Sequence, residues 1–202
     1  MIIAILVEGR TERAFMDALR RFLQPRLAGR MPNLDPLPYD GRIPTGDKLK
    51  RTVDRLLNGR RPADAVIALT DVYTGTRDFS DATDAKRKMQ QWVGDRSEFH
   101  PHAALHDFEA WLLPYWDTIL RLAKHNANPP SGSPEAINHS KPPAHHLAEL
   151  FERGKCRDSY QKPRDAKRIL RDADLLISAN ACPELKAFLN TILTLSGGST
   201  IP

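Results

Sequence analysis

Apolar residues form short unbroken runs in the first half of the chain and helical stripes in the second. Ile2–Val7 is six consecutive apolar residues, the length and character of a strand buried on both faces. After Glu8-Gly9-Arg10-Thr11-Glu12, the residues Ala14, Phe15, Ala18, Leu19, Phe22 and Leu23 recur at helical spacing, with Thr11 placed to cap that helix. Leu34–Tyr39 reads as a weaker strand, and Pro36 and Pro38 confine it to a short or edge position. Lys48–Asn58 carries Leu49, Val53, Leu56 and Leu57 on one helical face, with Gly59 as a stop signal. Ala65–Thr70 is a second buried-type strand that ends in Asp71. Asp81–Val93 predicts a helix, Phe99–Leu105 a short strand, and Asp107–Ala123 a helix containing Phe108, Trp111, Leu112 and Trp116. Strands alternating with helices predict right-handed crossovers and a parallel sheet.

The pattern changes near Asn126. Asn126–Pro143 holds five prolines with Gly and Ser between them, which predicts a long surface loop or linker. Only helical patterns follow, at Ala144–Arg153, Arg164–Ala173 and Glu184–Leu195, and Ser196–Pro202 reads as a frayed tail. The expected organisation is an α/β domain over residues 1–125. Residues 126–202 add a Pro-rich loop and an all-helical C-terminal extension packing on it.

With 202 residues, 41% hydrophobic and 27% charged, the chain is ordinarily globular. At this size folding buries roughly 70% of the surface of the extended chain. Ile2–Val7 is far too short to cross a membrane and has no basic segment before it, so a signal peptide and a membrane location are not expected. Two cysteines without metal-type spacing exclude a disulfide framework and a cysteine zinc site, and point to a reducing cytoplasm. The net charge is +5. Lys155–Arg171 holds seven cations against two acids, so the whole excess lies in that stretch. Such a patch holds a polyanion through phosphate contacts or serves as a solvated helix face.

In an open parallel sheet, functional groups collect beyond the carboxyl ends of the strands. Acids stand there repeatedly: Glu8, with Glu12 four residues on, then Asp71, then Asp107 and Glu109. Carboxylates from three strand ends form an oxygen-ligand site for a hard cation such as Mg²⁺, which takes a few carboxylates and keeps several waters. Two such ions can drive phosphodiester hydrolysis. Asp107 is equally a natural helix cap, and Glu109 in a first helical turn is favoured by the helix dipole alone. Glu8, directly after a buried run and before a glycine, has little structural reason to be acidic. His106 either contacts a phosphate or orients a carboxylate, or is satisfied by backbone groups. The other histidines, His100, His102, His125, His139, His145 and His146, read as surface residues, and Trp111 and Trp116 as core. Lys141, Lys162, Arg164, Lys167 and Arg168 are candidates for nucleic-acid contacts that give affinity without reading sequence. Tyr160 is placed to stack on a base.

Val7-Glu8-Gly9-Arg10-Thr11-Glu12 resembles the first motif of TOPRIM (topoisomerase–primase) domains, which pair a Glu after the first strand with an Asp-x-Asp after a later one. Thr70-Asp71-Val72-Tyr73 occupies the second motif's place. More closely, the chain resembles a bacterial TOPRIM-like family known as domain of unknown function 4276. Its further segments correspond here to Asp71-Val72-Tyr73-Thr74-Gly75, His106-Asp107-Phe108-Glu109-Ala110 and Ser133-Pro134-Glu135-Ala136-Ile137-Asn138. Ala181-Cys182-Pro183 precedes the final helix. The resemblance implies an α/β, TOPRIM-like, mostly parallel sheet flanked by helices, related to the overcoming-lysogenization-defect (OLD) nucleases. It implies Mg²⁺- or Mn²⁺-dependent cleavage of DNA or RNA, an AAA/ABC-type ATPase partner and an anti-phage setting. It also implies Glu8, Asp71 and Glu109 as metal ligands and Glu12 as a general base. Two positions depart from the family. Tyr73 replaces the second carboxylate of Asp-x-Asp, so that metal position is lost or filled by Glu109 or Asp78. Asp107 stands where the family usually has Glu.

The leading expectation is a metal-dependent nuclease or nuclease subunit. One rival is a catalytically degenerate TOPRIM-like scaffold that regulates an ATPase. Another, a phosphotransferase, lacks a Gly-x-x-x-x-Gly-Lys phosphate loop.

Overall fold

The computed structural model describes residues 1–39, 41–72, 79–137, 141–154 and 159–202, without the side chains of Arg10, Glu12 and Arg13. Tyr73, Asp78, His139 and the start of the basic stretch at 155–158 therefore lie outside the described residues, as does the Glu12 carboxylate.

Four parallel strands form one sheet: β1 (Ile2–Val7), β2 (Asn33–Pro38), β3 (Ala65–Val72) and β4 (Phe99–Leu105), in the order β2-β1-β3-β4. The proline-containing β2 is at the edge, as its sequence predicts, because a residue without an N–H cannot serve a ladder on both sides. β1 and β3 are central and buried on both faces. Their alternate residues divide between two cores: Ile3, Ile5, Val7, Ile67 and Leu69 enter one, and Ala4, Leu6, Val66 and Ala68 the other. This period-two partition is why an unbroken apolar run is needed there.

The smaller core lies under α2 (Gly46–Asn58) and α3 (Ala82–Val93). Asp81 caps α3, accepting from the Asp84 N–H at 2.8 Å. The larger core lies under α1 (Arg10–Leu23) and under the helices after β4: α4 (Trp116–Ala123), α5 (Pro143–Arg153), α6 (Lys162–Ile169), α7 (Leu175–Ala181) and α8 (Pro183–Leu195). At its centre Phe15, Phe108, Trp111 and Phe188 meet with ring centroids 5.4–6.4 Å apart. Residues from before and after position 125 thus share one core.

Several local expectations are corrected. Asp107–Ala123 is not one helix: Phe108–Tyr115 is a 3₁₀ segment, and the α-helix starts at Trp116. Pro114 lacks the N–H an α-helix needs there and clashes with the preceding turn. Thr11 does not cap α1; Gly9 stands at the cap position without a side-chain bond, and Thr11 is buried inside the first turn. Asp71 lies within β3 rather than after it. Helix α6 ends at Ile169, and α7, with Asp174 as its cap, has no counterpart in the sequence reading.

The Pro-rich segment is not only a surface loop. Within it Pro134–Ala136 forms a 3₁₀ turn that buries Glu135 and Ile137. Glu135 accepts from the Trp111 indole N–H at 2.9 Å and from the Glu184 and Leu185 N–H groups at the start of α8, at 3.1 and 3.3 Å. The tail is not frayed: Gly198 bridges to Leu27, and Ile201 is buried, bracketed by both side-chain atoms of Asn190. His102 is buried and bonds to Thr191 at 3.0 Å, so it is a core residue, whereas His145 is exposed as expected. Trp111 is core, as expected. Among the described residues, no helix is long and apolar enough to cross a membrane.

Candidate active site

The chain passes from β1 outward to β2 and then returns past β1 to β3, so the connections diverge between β1 and β3. Ligands of open parallel sheets bind at such a switch point, beyond the carboxyl ends of the strands. A cavity of about 340 Å³ opens there, lined by Glu8, Gly9, Thr11, Gly41, Arg42, Asp71, Phe108, Glu109 and Lys162. Glu8 leaves the end of β1, Asp71 sits near the end of β3, and Glu109 follows β4. The three carboxylates singled out in the sequence therefore share one cavity.

Each acid is held differently. Burial pushes the Glu8 carboxyl above its ordinary range, partly offset by the Thr70 hydroxyl, which donates to Glu8 Oε1. Thr70 itself is buried next to Asp71 in β3. Glu109 is 1% exposed. Burial raises its pKa, against the Lys162 ammonium 3.3 Å from its Oε2. The Tyr160 hydroxyl donates to Glu109 Oε1 at 3.4 Å. Burial also disfavours the Lys162 charge, but Glu109, Asp107 and Asp71 outweigh it, and the ammonium pKa ends raised.

Asp107 stands at the cap position of the 3₁₀ segment without capping it. It is fully buried, and its Oδ2 accepts from the Ala144 N–H in the first turn of α5 at 3.1 Å. Burial, then the neighbouring Glu109 charge, pushes its carboxyl up to about 7. His106 is buried with φ +65°, a left-handed conformation uncommon for a side-chain-bearing residue. Its N–H bonds Val72 O at 2.9 Å, and burial keeps its ring toward the neutral form. It does not line the cavity.

The basic candidates disperse. Lys162 reaches the carboxylates, but Lys141 pairs with Glu149 on α5 and does not line the cavity. Arg164 and Arg168 both bind the buried Asp165, at 2.9 and 3.1 Å. Lys167 extends toward Asp17 on α1. Tyr160 is not an exposed stacking platform: it is buried, packing on Phe151 with centroids 5.4 Å apart.

The donor set suits a hard divalent cation. The cavity already accommodates a full positive charge, the Lys162 ammonium, facing Asp71, Asp107 and Glu109. Among the described residues no group of three or more His, Cys, Asp or Glu side chains is placed to hold a metal ion. Mg²⁺ does not require one, since it is held through one or two carboxylates and retains waters. Sequence reasoning missed Thr70, Arg42 and the Lys162–Glu109 pair. A polar Thr at the end of an otherwise apolar buried run was an available signal for the first. No local pattern signals the others.

The fold is similar to the C-terminal region of the Burkholderia pseudomallei OLD protein, with a TM-score of 0.56 at 14% identity over 96% of this chain and 98% of that one. It is also similar to the C-terminal region of the Xanthomonas campestris pv. campestris OLD protein, with a TM-score of 0.51 at 16% identity over 96% and 95%. No curated protein matches the chain. At these identities the likeness is one of fold, and it agrees with the α/β, TOPRIM-like architecture expected from the motifs. The family model described as Domain of unknown function (DUF4276) matches residues 7–193, and the chain belongs to that family.

Proposed function

We propose that the chain is a metal-dependent nuclease, or nuclease subunit, that hydrolyses phosphodiester bonds in DNA or RNA. Glu8, Asp71 and Glu109 hold Mg²⁺ or Mn²⁺ in this reading. The observation that carries it is the meeting of those carboxylates with Lys162 in one cavity at the switch point of the sheet. The fold likeness to the C-terminal region of OLD proteins supports it.

A hard divalent cation supplies Lewis-acid stabilisation of the phosphoryl oxygens and of the attacking water. The chain's residues provide the rest. Lys162 stays charged and stabilises negative charge developing on the phosphoryl group. Thr70 fixes the orientation of Glu8. Water oxygen bonds to phosphorus, one P–O ester bond breaks, the water proton passes to a carboxylate base, and the leaving oxygen takes a proton from solvent. Glu12, four residues beyond Glu8 and in the first turn of α1, is the proposed base. An ATPase partner and a role in anti-phage defence complete the proposal.

Calorimetry with Mg²⁺ and Mn²⁺ tests it, on wild type, Glu8→Ala and Asp71→Ala. Binding in the wild type, lost in both folded variants together with metal-dependent cleavage of oligonucleotides, is the expected result. A folded wild type that binds neither ion at millimolar concentration sinks the autonomous form.

A degenerate scaffold that regulates an ATPase is a second reading. It is favoured by Tyr73 in place of the second motif carboxylate and by the ammonium already neutralising Glu109. A scaffold would retain its ATPase equally well with Glu8→Ala.

A further inference from the structure

Helices α1 and α6 both begin at the carboxylate cavity: Gly9 and Thr11 line it at the start of α1, and Lys162 at the start of α6. They then run side by side in the same direction, with Asp17 meeting Lys167 and the Arg21 guanidinium donating to Leu170 O at 2.7 Å. Two adjoining hollows follow them. The first, about 630 Å³, has Ala14, Pro36 and Pro163 on its walls with Arg20, Arg164 and Lys167. The second shares Ala14, Asp17 and Lys167 with it and adds Arg21 and Arg171. Together the hollows present five cations and one carboxylate, Asp17. On α6 and just past its end, Arg164, Lys167 and Arg171 recur at intervals of three and four, a single stripe about 10 Å long.

We propose that this groove is the track for the phosphate backbone of a nucleic-acid strand whose scissile bond enters the carboxylate cavity. The proposal deepens the nuclease reading and names the surface that holds its substrate. A run of phosphodiester anions suits it for three reasons. The cations form a line rather than a point. The apolar and proline walls offer no base-edge hydrogen-bonding pattern, so the contacts give affinity without sequence preference. The groove starts about one turn beyond the cavity on α1, at Ala14, and directly beside it on α6, at Pro163, so a bound backbone continues into it. Arg164 braces buried Asp165, whereas Arg20, Lys167 and Arg171 are exposed, and among the described residues Arg20 and Lys167 pair with Asp17. These three are the exposed contacts. Among the described residues lining the hollows, Asp17 is the one carboxylate.

The test is fluorescence anisotropy with labelled single-stranded and duplex oligonucleotides in EDTA, where binding is read without cleavage. The triple variant Arg20→Gln/Lys167→Gln/Arg171→Gln is expected to bind at least about tenfold more weakly. The slope of log affinity against log salt should fall by about 3, one for each phosphate contact removed. Asp17→Asn is expected to bind more tightly than wild type. Circular dichroism of both variants, matching wild type, separates contact from folding. Unchanged affinity in the folded triple variant overturns the proposal. So does poly-glutamate competing as well as the oligonucleotide, which would assign the groove to an acidic protein partner. Because the assay contains no metal, loss of metal binding would sink the nuclease reading while leaving the groove intact, and the reverse.

Discussion

Lys162 sets the charge balance of the cavity. Its side chain is about half exposed, while Glu109, its partner, is 1% exposed, so the lysine links a recessed acid to solvent. A buried carboxylate that loses its counter-charge becomes harder to ionise, and Glu109 already has a raised pKa. Lys162 also occupies the position of a cation and competes with any divalent ion for Glu109. Lys162→Met is therefore expected to separate two properties. Metal binding measured by calorimetry should be kept or tightened, because the carboxylates remain and their competitor is gone. Cleavage should fall on the order of a hundredfold or more in kcat, the usual scale for losing one charge-stabilising group, with little change in KM. Loss of metal binding together with cleavage would make Lys162 a support for Glu109 and not a group acting on the phosphate.

At the scale of elements, what positions the site is the way the helices after β4 are tied to one another. The 3₁₀ segment Phe108–Tyr115 carries Glu109 and Trp111 together, and Glu135 joins Trp111 to the start of α8. Glu135→Ala leaves the Trp111 indole and two backbone N–H groups without acceptors and should cost about 3 kcal/mol. Glu135→Gln keeps an acceptor oxygen and should cost roughly 1 kcal/mol. Urea unfolding followed by tryptophan fluorescence distinguishes them; equal costs would show that charge, not hydrogen bonding, holds the junction. This element also marks how far the sequence could be read. β1 and β3 were legible to within two residues, because a central strand buried on both faces is largely apolar, and β4, an edge strand carrying His100, Pro101 and His102, kept its expected bounds. The meeting of Glu8, Asp71 and Glu109 was legible too, since a parallel sheet carries its strand ends to one edge. The Glu135 anchor was hidden in a proline-rich segment whose composition says loop. Helix α7 was hidden because Leu175–Ala181 is too short for a period to register, although Asp174 before Leu-Leu-Ile was a cap signal. The Lys162–Glu109 pair spans 53 residues, and no local spacing encodes a contact of that range.

For the whole molecule, we propose that the parts 1–125 and 126–202 unfold as one cooperative unit. The aromatic cluster of Phe15, Phe108, Trp111 and Phe188 crosses between them, so the larger core closes only when both parts are in place. A protonation event at one buried group then reads out as global stability. His102, on β4 and facing Thr191 and the Phe188 ring of α8, is such a group. Burial, then the charges of Lys86 and His100, pushes its pKa down to about 3, against about 6.5 unfolded. Between those values the unfolded chain binds a proton that the folded chain refuses, so the stability His102 contributes is full above about pH 6.5 and is lost as pH falls. Asp107 works in the opposite sense: with its carboxyl raised to about 7, the folded chain takes up a proton before the unfolded chain does and gains stability on acidification. The wild-type profile is thus composite, and the informative quantity is the difference from His102→Gln, which keeps a hydrogen-bonding side chain and does not titrate. Relative to that variant, wild type should lose about 1.4 kcal/mol between pH 7.5 and pH 5.5, from the linkage of one proton over about one unit below 6.5. Parallel stability curves for the two proteins over that range, from urea unfolding at each pH, would show that His102 accepts its proton in the folded state.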